Sequence, residues 1–203
     1  CLMIAFPLAY IISQKTEKVQ RTLVMLVMLP MWMSFLIRTY SWMALLQDTG
    51  IINSFLAKLG IDPIHMINTS GAVILGMVYN FLPYMIMPIY SVMAKLDYSM
   101  VEAAQDLGGN RFTVIKRCII PMSMPGLISG ITMVFVPSVS TFYISQKLGG
   151  GSFDLIGDVI ERQFQQSYNY NLGASLSLVL MVLILICMAV MNRFSGDEEG
   201  MVI

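Results

Sequence analysis

Side chains able to do covalent chemistry are few in this chain and far apart. There is one histidine, His65, and the three cysteines are Cys1, Cys118 and Cys187. That inventory argues against a disulfide framework or a histidine-rich metal site. Hydrolysis at membrane depth would need paired acids, a Ser/His pair or metal ligands, and no carboxylate lies within any of the long apolar runs. The sequence has no G-x4-G-K-[ST] phosphate loop either. Two features stand out: Arg38, a charge inside an apolar run, and the polar stretch from Leu96 to Gly109. Side chains of this kind suit docking and packing rather than bond making.

The elements that position these residues follow from composition. Of 203 residues, 57% are hydrophobic and 12% charged, with a mean hydropathy of +0.73. An ordinary soluble domain carries roughly 25% charged residues. One soluble core of this size cannot hide so much apolar surface, so the chain is read as a membrane protein. Twelve Lys and Arg balance twelve Asp and Glu, which leaves no basic footprint for nucleic acid.

About 20 apolar residues cross the hydrocarbon layer. Four charge-poor runs meet that length, at 22–46, 71–94, 119–145 and 173–192, and a fifth at 1–12 is too short and reads as a partial span. The chain opens on Cys1 directly inside apolar sequence, so the expectation is truncation at the N-terminus, within a helix. A lipid-bearing Cys1 is disfavoured because no polar tether follows it. Orientation follows the positive charges. Lys15, Lys18, Arg21, Lys95, Arg111, Lys116, Arg117 and Arg193 fall on one side of the alternating spans, against Lys58, Lys147 and Arg162 on the other. The segments 13–21 and 95–118 and the C-terminal tail are therefore cytoplasmic. The fold class is all-α, a polytopic membrane helical bundle in which 1–203 form a single transmembrane domain.

The spans carry small and polar residues on particular faces. Ser34, Arg38 and Ser41 share one face with Trp42 beside it; Gly76, Asn80, Pro83 and Met87 share another. Pro83 and Pro88 are expected to interrupt their helix. Gly126, Gly130, Met133, Pro137 and Thr141 line up likewise, with Ser138 and Ser140 nearby. Small residues on one face let helices approach closely, and polar groups at membrane depth meet protein or a watery cavity. Tight packing accounts for most of these positions, with a share of them lining a pathway. The 173–192 run has almost no polar face and reads as lipid-facing.

The cytoplasmic stretch 97–118 is the informative part. Ser99 and Glu102 make an S-x-x-E pattern, read as a capping box that starts a short helix. Gly108 and Gly109 stop it, and Asn110 caps a second helix from Thr113 to Cys118 that runs into Pro121. Helix, glycine bend and helix make a compact projecting element suited to docking.

Glu102-Ala103-Ala104, Gly108 six residues after the Glu, and Ile120-Pro121 resemble the EAA signature of ABC importer permeases, E-A-A-x3-G-x9-I-x-L-P. Cys118 stands where Ile is usual and Ile120 where Leu is usual; both stay apolar. Ser34 to Trp42 (SFLIRTYSW), Val136 to Phe142 (VPSVSTF) and Leu148 to Gly151 (LGGG) look like the B-type permeases of spermidine/putrescine importers, over about Phe6 to Phe194. The resemblance implies a type I importer permease fold, with the first span and part of the second lacking here. It also implies a second, C-type permease, two cytoplasmic ATPase subunits that bind ATP and Mg, and an extracytoplasmic polyamine-binding protein. No cofactor is expected in this chain, and the location implied is the bacterial cell (inner) membrane. Glu102, Ala103, Ala104 and Gly108 are the ATPase-coupling residues on this reading, with Gly108 a conformational need more than a contact.

A polyamine offers ammonium groups, which bind carboxylates and aromatic faces. With no acid in a span, the acids must come from the outer side: Asp48, Asp62, Asp154, Asp158 and Glu161. The candidate path is Asn80, Tyr79, Tyr84, Ser138, Thr141 and Tyr143 with Asp154, Asp158 and Glu161. If 155–161 are helical, these last three acids fall at i, i+4 and i+7 and present one acidic face. The bland reading of each is a solvated loop charge. Arg38 would repel such a cargo and reads as structural, pairing with carbonyls, a partner acid or the Trp42 ring. His65 reads as solvated, and Cys118 and Cys187 as packed thiols. An importer permease for an amino acid or inorganic ion is the alternative function, and an intramembrane enzyme a remote one.

Overall fold

In the computed structural model, residues 1–106, 108–151 and 154–199 are described, with backbone alone at Tyr98, Arg111, Asn192 and 194–199. Leu107, which lies inside the expected coupling element, is outside the described residues. Among them every regular element is helical: α1 (Leu2–Ser13), α2 (Glu17–Met28), a 3-10 turn (Leu29–Trp32), α3 (Phe35–Leu46), α4 (Ile51–Lys58), α5 (Ser70–Met93), α6 (Tyr98–Asp106), α7 (Arg111–Val114), a π-helical turn (Ile115–Ile119), α8 (Ile120–Met122), α9 (Met124–Ser140), α10 (Tyr143–Gly149), α11 (Ile156–Gln165) and α12 (Tyr170–Glu199). Two compact units divide the chain, Cys1–Val27 with Leu82–Val134 and Ile186–Ile203, and Met28–Phe81 with Phe135–Leu185.

Two helices are long and apolar enough to cross a membrane by themselves, α5 and the Tyr170–Met191 part of α12. The other two runs are broken. The stretch 22–46 is not one helix. Pro30 opens a 3-10 turn and Met33 is extended at φ −83°, ψ 146°, so α2 ends and α3 starts afresh. Proline lacks the N–H an α-helix would need there. The stretch 119–145 also shortens to α9. Its first residues belong to a preceding helical arm, Phe112–Met122, which meets Met124–Ser140 at 67°. Pro121 and Pro125 each remove a helical donor, and the Ser123 hydroxyl caps the bend by donating to Ile119 O at 2.7 Å and Ile120 O at 3.0 Å. Pro83 and Pro88, by contrast, do not interrupt α5, which runs unbroken through both. Neighbouring helices can satisfy the carbonyls a proline frees in such a setting. None of the most apolar 18-residue window of α12 is buried within the chain, in keeping with its lack of a polar face.

The first unit is built on close helix approach. Ala5, Ala9 and Ile12 share one face of α1 and join Met85, Ile86, Ile89 and Met93 of α5, with Val101, Val114, Ile119 and Leu127, in one buried cluster. A Cβ on Gly126 would come within 2.8 Å of Pro88 O, and one on Gly130 within 2.9 Å of Met85 Sδ. The small face of α9 therefore sets its distance from α5. Gln20 pins the turn after α1, donating to Ser13 O at 2.9 Å and Lys15 O at 2.7 Å and accepting from the Tyr90 hydroxyl at 2.9 Å.

In the second unit α10 packs on α3 and α11. Ile144 and Leu148 of α10 are fully buried. Asn53 of α4, 2% exposed, clamps the outer loop by donating to Ile64 O and accepting from Ile64 N, both at 2.9 Å. His65 is not simply solvated: its Nδ1 lies 2.9 Å from Asp48 Oδ1, although both side chains are exposed.

Candidate functional site: a helix–bend–helix element and an acidic cavity

The 97–118 element folds as helix, bend and helix, with a cap different from the expected one. Helix α6 begins at Tyr98, so Asp97 and not Ser99 is the capping residue; its Oδ1 accepts from Ser99 N at 3.0 Å. A carboxylate at the N-cap satisfies an orphan donor and sits at the positive end of the helix. That bond to the Ser99 backbone N–H, and then the Ser99 hydroxyl, holds the Asp97 carboxyl below its ordinary range. Glu102 is consequently not consumed in a capping box. It is exposed on α6 and makes no hydrogen bond or ion pair among the described residues. Ala103 beside it is exposed and Ala104 half-buried.

The bend needs both glycines, for different reasons. Gly108 has φ +82°, in the left-handed region, with open space where a Cβ would go. At Gly109 a Cβ would sit 2.5 Å from Ala104 O, the atom that accepts Gly109 N at 3.1 Å. Asn110 then caps α7 as expected, its Oδ1 accepting from Thr113 N at 2.8 Å. The result is a capped helix–bend–helix element with an exposed Glu102 carboxylate on its surface, and its second arm leads into α9.

In the second unit α11 is helical, and Asp154, Asp158 and Glu161 line one cavity of about 530 Å³ with Ser145, Gln146, Gly151, Arg162 and Gln166. The face is less open than the spacing alone suggests. Asp154 is bonded to Arg162 Nη2, and that bond raises the guanidinium pKa further above its ordinary value. Glu161 accepts from Gln146 Nε2 at 2.8 Å. Asp158 is 3% exposed and its Oδ2 accepts from Leu155 N at 2.7 Å, a helix cap, while its Oδ1 has no partner. Three carboxylates against one guanidinium leave the cavity acidic.

Aromatic residues in the same unit already hold an ammonium. Tyr143 packs edge-on to Tyr40 at 6.1 Å and tilted to Phe35 at 6.0 Å. The Lys147 Nζ lies 5.7 Å from the Tyr40 ring centre and 5.8 Å from that of Tyr143, within cation–π range. Tyr79 instead packs edge-on to Trp42 at 5.3 Å. Asn80 is 1% exposed and donates to Gly76 O at 2.9 Å, leaving its Oδ1 without a partner. Ser138 donates to Phe135 O at 2.8 Å and Thr141 is half-buried. Tyr84 is 40% exposed and belongs to the first unit, whereas Tyr79, Asn80 and Tyr143 belong to the second. Sequence reading missed Arg162 and Gln146 as members of the acidic cavity, and Tyr40 and Lys147 beside Tyr143. The Tyr40–Lys147 pairing spans more than a hundred residues and leaves no local pattern.

Two membrane-length helical stretches, Ser70–Met93 and Tyr170–Met191, and two bent helix pairs of similar apolar character define a multi-pass membrane protein. The model of the family described as "binding-protein-dependent transport system inner membrane component" matches residues 3–195, and the chain belongs to that family. It is 43% identical over 171 residues to the spermidine/putrescine transport system permease protein PotB of Haemophilus influenzae, covering 83% of this chain and 60% of that protein. With PotB of Escherichia coli K12 it is 42% identical over 166 residues, 81% of this chain and 60% of that one. The inner membrane ABC transporter permease protein YdcU of Escherichia coli is 29% identical, over 79% and 56% of the two chains. The chain thus spans about 60% of the length of the PotB proteins it matches. A bacterial ABC transporter involved in import of the acidic polysaccharide alginate has the same fold, at TM-score 0.72 and 17% identity over 97% of this chain and 74% of that one.

Proposed function

We propose that this chain is the permease subunit of an ATP-driven importer of polyamines, of the spermidine/putrescine type. The observation that carries the reading is the 43% identity to PotB. The acidic cavity and the tyrosines around the Lys147 ammonium support it, because a polyamine is recognised by carboxylates and aromatic faces. In this reading a second, C-type permease completes the pathway. Two cytoplasmic ATPase subunits bind ATP and Mg, and an extracytoplasmic binding protein delivers cargo to the outer loops.

The mechanism is alternating access. Closure of the ATPase pair pushes on the exposed Glu102–Ala103 face of α6. The Gly108–Gly109 bend passes that movement to the second arm, and the 67° junction at Ser123 passes it to α9. Pro83, Pro88, Pro125 and Pro137 are the positions where helix shape absorbs the change. Cargo entering from outside meets the acidic cavity first. The test is uptake of labelled spermidine and putrescine by the complete reconstituted complex, with unlabelled amino acids and inorganic cations as competitors. Polyamine uptake that only polyamines compete supports the reading. Uptake of an amino acid or metal ion with no polyamine uptake refutes it.

A further inference from the structure

Among the described residues Arg38 has no hydrogen-bond or ion-pair partner. It is 7% exposed, and its Nε and Nη1 are enclosed without a hydrogen-bond acceptor. Its polar and aromatic neighbours in the cavity are engaged elsewhere: the Trp42 ring packs on Tyr79, and the Ser41 hydroxyl donates to Ile37 O at 2.9 Å. Among the described residues no Asp or Glu forms an ion pair with Arg38. A guanidinium buried without counter-charge is strongly unfavourable, so the folded protein in its working assembly has to supply one.

Arg38 lines a cavity of about 170 Å³ with Met33, Ser41, Trp42, Leu45 and Tyr79. Of that lining Met33 is 47% exposed, and Trp32 next to it in the chain is 75% exposed, an apolar rim beside a buried positive charge. We propose that this cavity receives an Asp or Glu carboxylate carried by a membrane helix of another subunit, forming an intersubunit ion pair with Arg38. The inference rests on the reading of the chain as one part of a multi-subunit transporter. The unpartnered Nε and Nη1 stand on different edges of the guanidinium, so a carboxylate oxygen pairs with one of them, a charge contact that a lysine ammonium could also make. The Trp32–Met33 rim matches the apolar flank of a membrane helix. A lipid phosphate would satisfy the charge equally, but it would have to leave headgroup level to pass this rim, whereas an acid on a helix is carried there.

The experiment places photoreactive benzoylphenylalanine at Met33, on the rim of this cavity, in the complete complex in native membranes. The expected product is a light-dependent adduct with the summed mass of this chain and a second membrane subunit. Its yield falls by about thirtyfold or more in Arg38→Met, the floor for removing one member of a buried charge pair, and survives in Arg38→Lys. Mass spectrometry then names the acid, and exchanging the two charges (Arg38→Asp with that acid→Arg) restores assembly lost in Arg38→Asp alone. This last arm covers an Arg38→Met chain that fails to fold. Adducts to lipid only, links within this chain only, or no adduct each overturn the proposal. A complex that transports polyamine without the adduct leaves the functional reading standing and removes only this one.

Discussion

Replacing Gly108 and Gly109 one at a time separates two physical requirements that the EAA element combines. At Gly108 the difficulty is conformational: φ is +82° and a methyl group would meet nothing within 4 Å. An L-residue in the left-handed region costs roughly 1–2 kcal/mol, and Asn enters it readily. Gly108→Ala should therefore raise the open population of the bend by roughly 5–30-fold, the factor that such an energy represents. Gly108→Asn should nearly match the natural protein. At Gly109 the difficulty is contact. The added methyl would stand 2.5 Å from Ala104 O, a backbone atom that cannot swing aside, and 3.3 Å from Val114 Cγ2. Relief means giving up the Gly109 N to Ala104 O bond, about 1 kcal/mol net, and shifting packed backbone, roughly 1–3 kcal/mol more. Gly109→Ala is thus the most damaging of the three. Hydrogen exchange at the residue 109 amide reads the opening, and ATP-coupled uptake by the complex reads the consequence, with membrane level checked by immunoblot. Equal exchange and uptake in Gly109→Ala and the natural protein would refute this reasoning about the bend. So would Gly108→Asn proving as harmful as Gly109→Ala.

Other consequences can be checked directly. In a background free of the three native cysteines, a cysteine at the exposed Lys58 should react with an impermeant thiol reagent in intact cells, and one at the exposed Lys116 only after the membrane is opened; the reverse labelling overturns the orientation. Glu161→Gln should slow polyamine uptake severalfold, equivalent to about 1 kcal/mol or less and weakened by salt, while the Asp158 cap leaves α11 folded; unchanged uptake and salt dependence would make this acid a solvated one. Because the Asp97 carboxyl is held below its ordinary range, its stabilising contribution is present above the unfolded value of about 3.9 and lost as pH falls through the lower folded one. The Ser99 amide should hold constant protection from pH 8 to about 5 and lose it at more acid pH; Asp97→Asn, which keeps an acceptor, should abolish that dependence.

What could be read from sequence alone divides by range. The apolar length of 71–94 locates α5, Ser70–Met93, almost to the residue. Charge-free length says nothing of continuity, however. A backbone turned extended at Met33 and a junction capped by the Ser123 hydroxyl look, in composition, like the middle of a span. The S-x-x-E pattern from Ser99 to Glu102 has the right chemistry at the wrong register, because Asp97 stands two residues earlier and is an equally good cap. The acids of α11 did follow from helical spacing. Their partners Gln146 and the buried environment of Asp158 did not, since these come from another helix. Arg38 was conspicuous as a charge in an apolar run, and only coordinates could show that no carbonyl or ring among the described residues receives it.

The central claim is that this chain couples a cytoplasmic ATPase to polyamine movement. It is tested most directly by ATP hydrolysis inside proteoliposomes holding the complete complex, with binding protein added outside. The account predicts that spermidine- or putrescine-loaded binding protein accelerates hydrolysis, that unloaded protein does so much less, and that Gly109→Ala in this chain removes the acceleration while basal hydrolysis remains. Hydrolysis indifferent to loaded binding protein, or acceleration undiminished by Gly109→Ala, would contradict it.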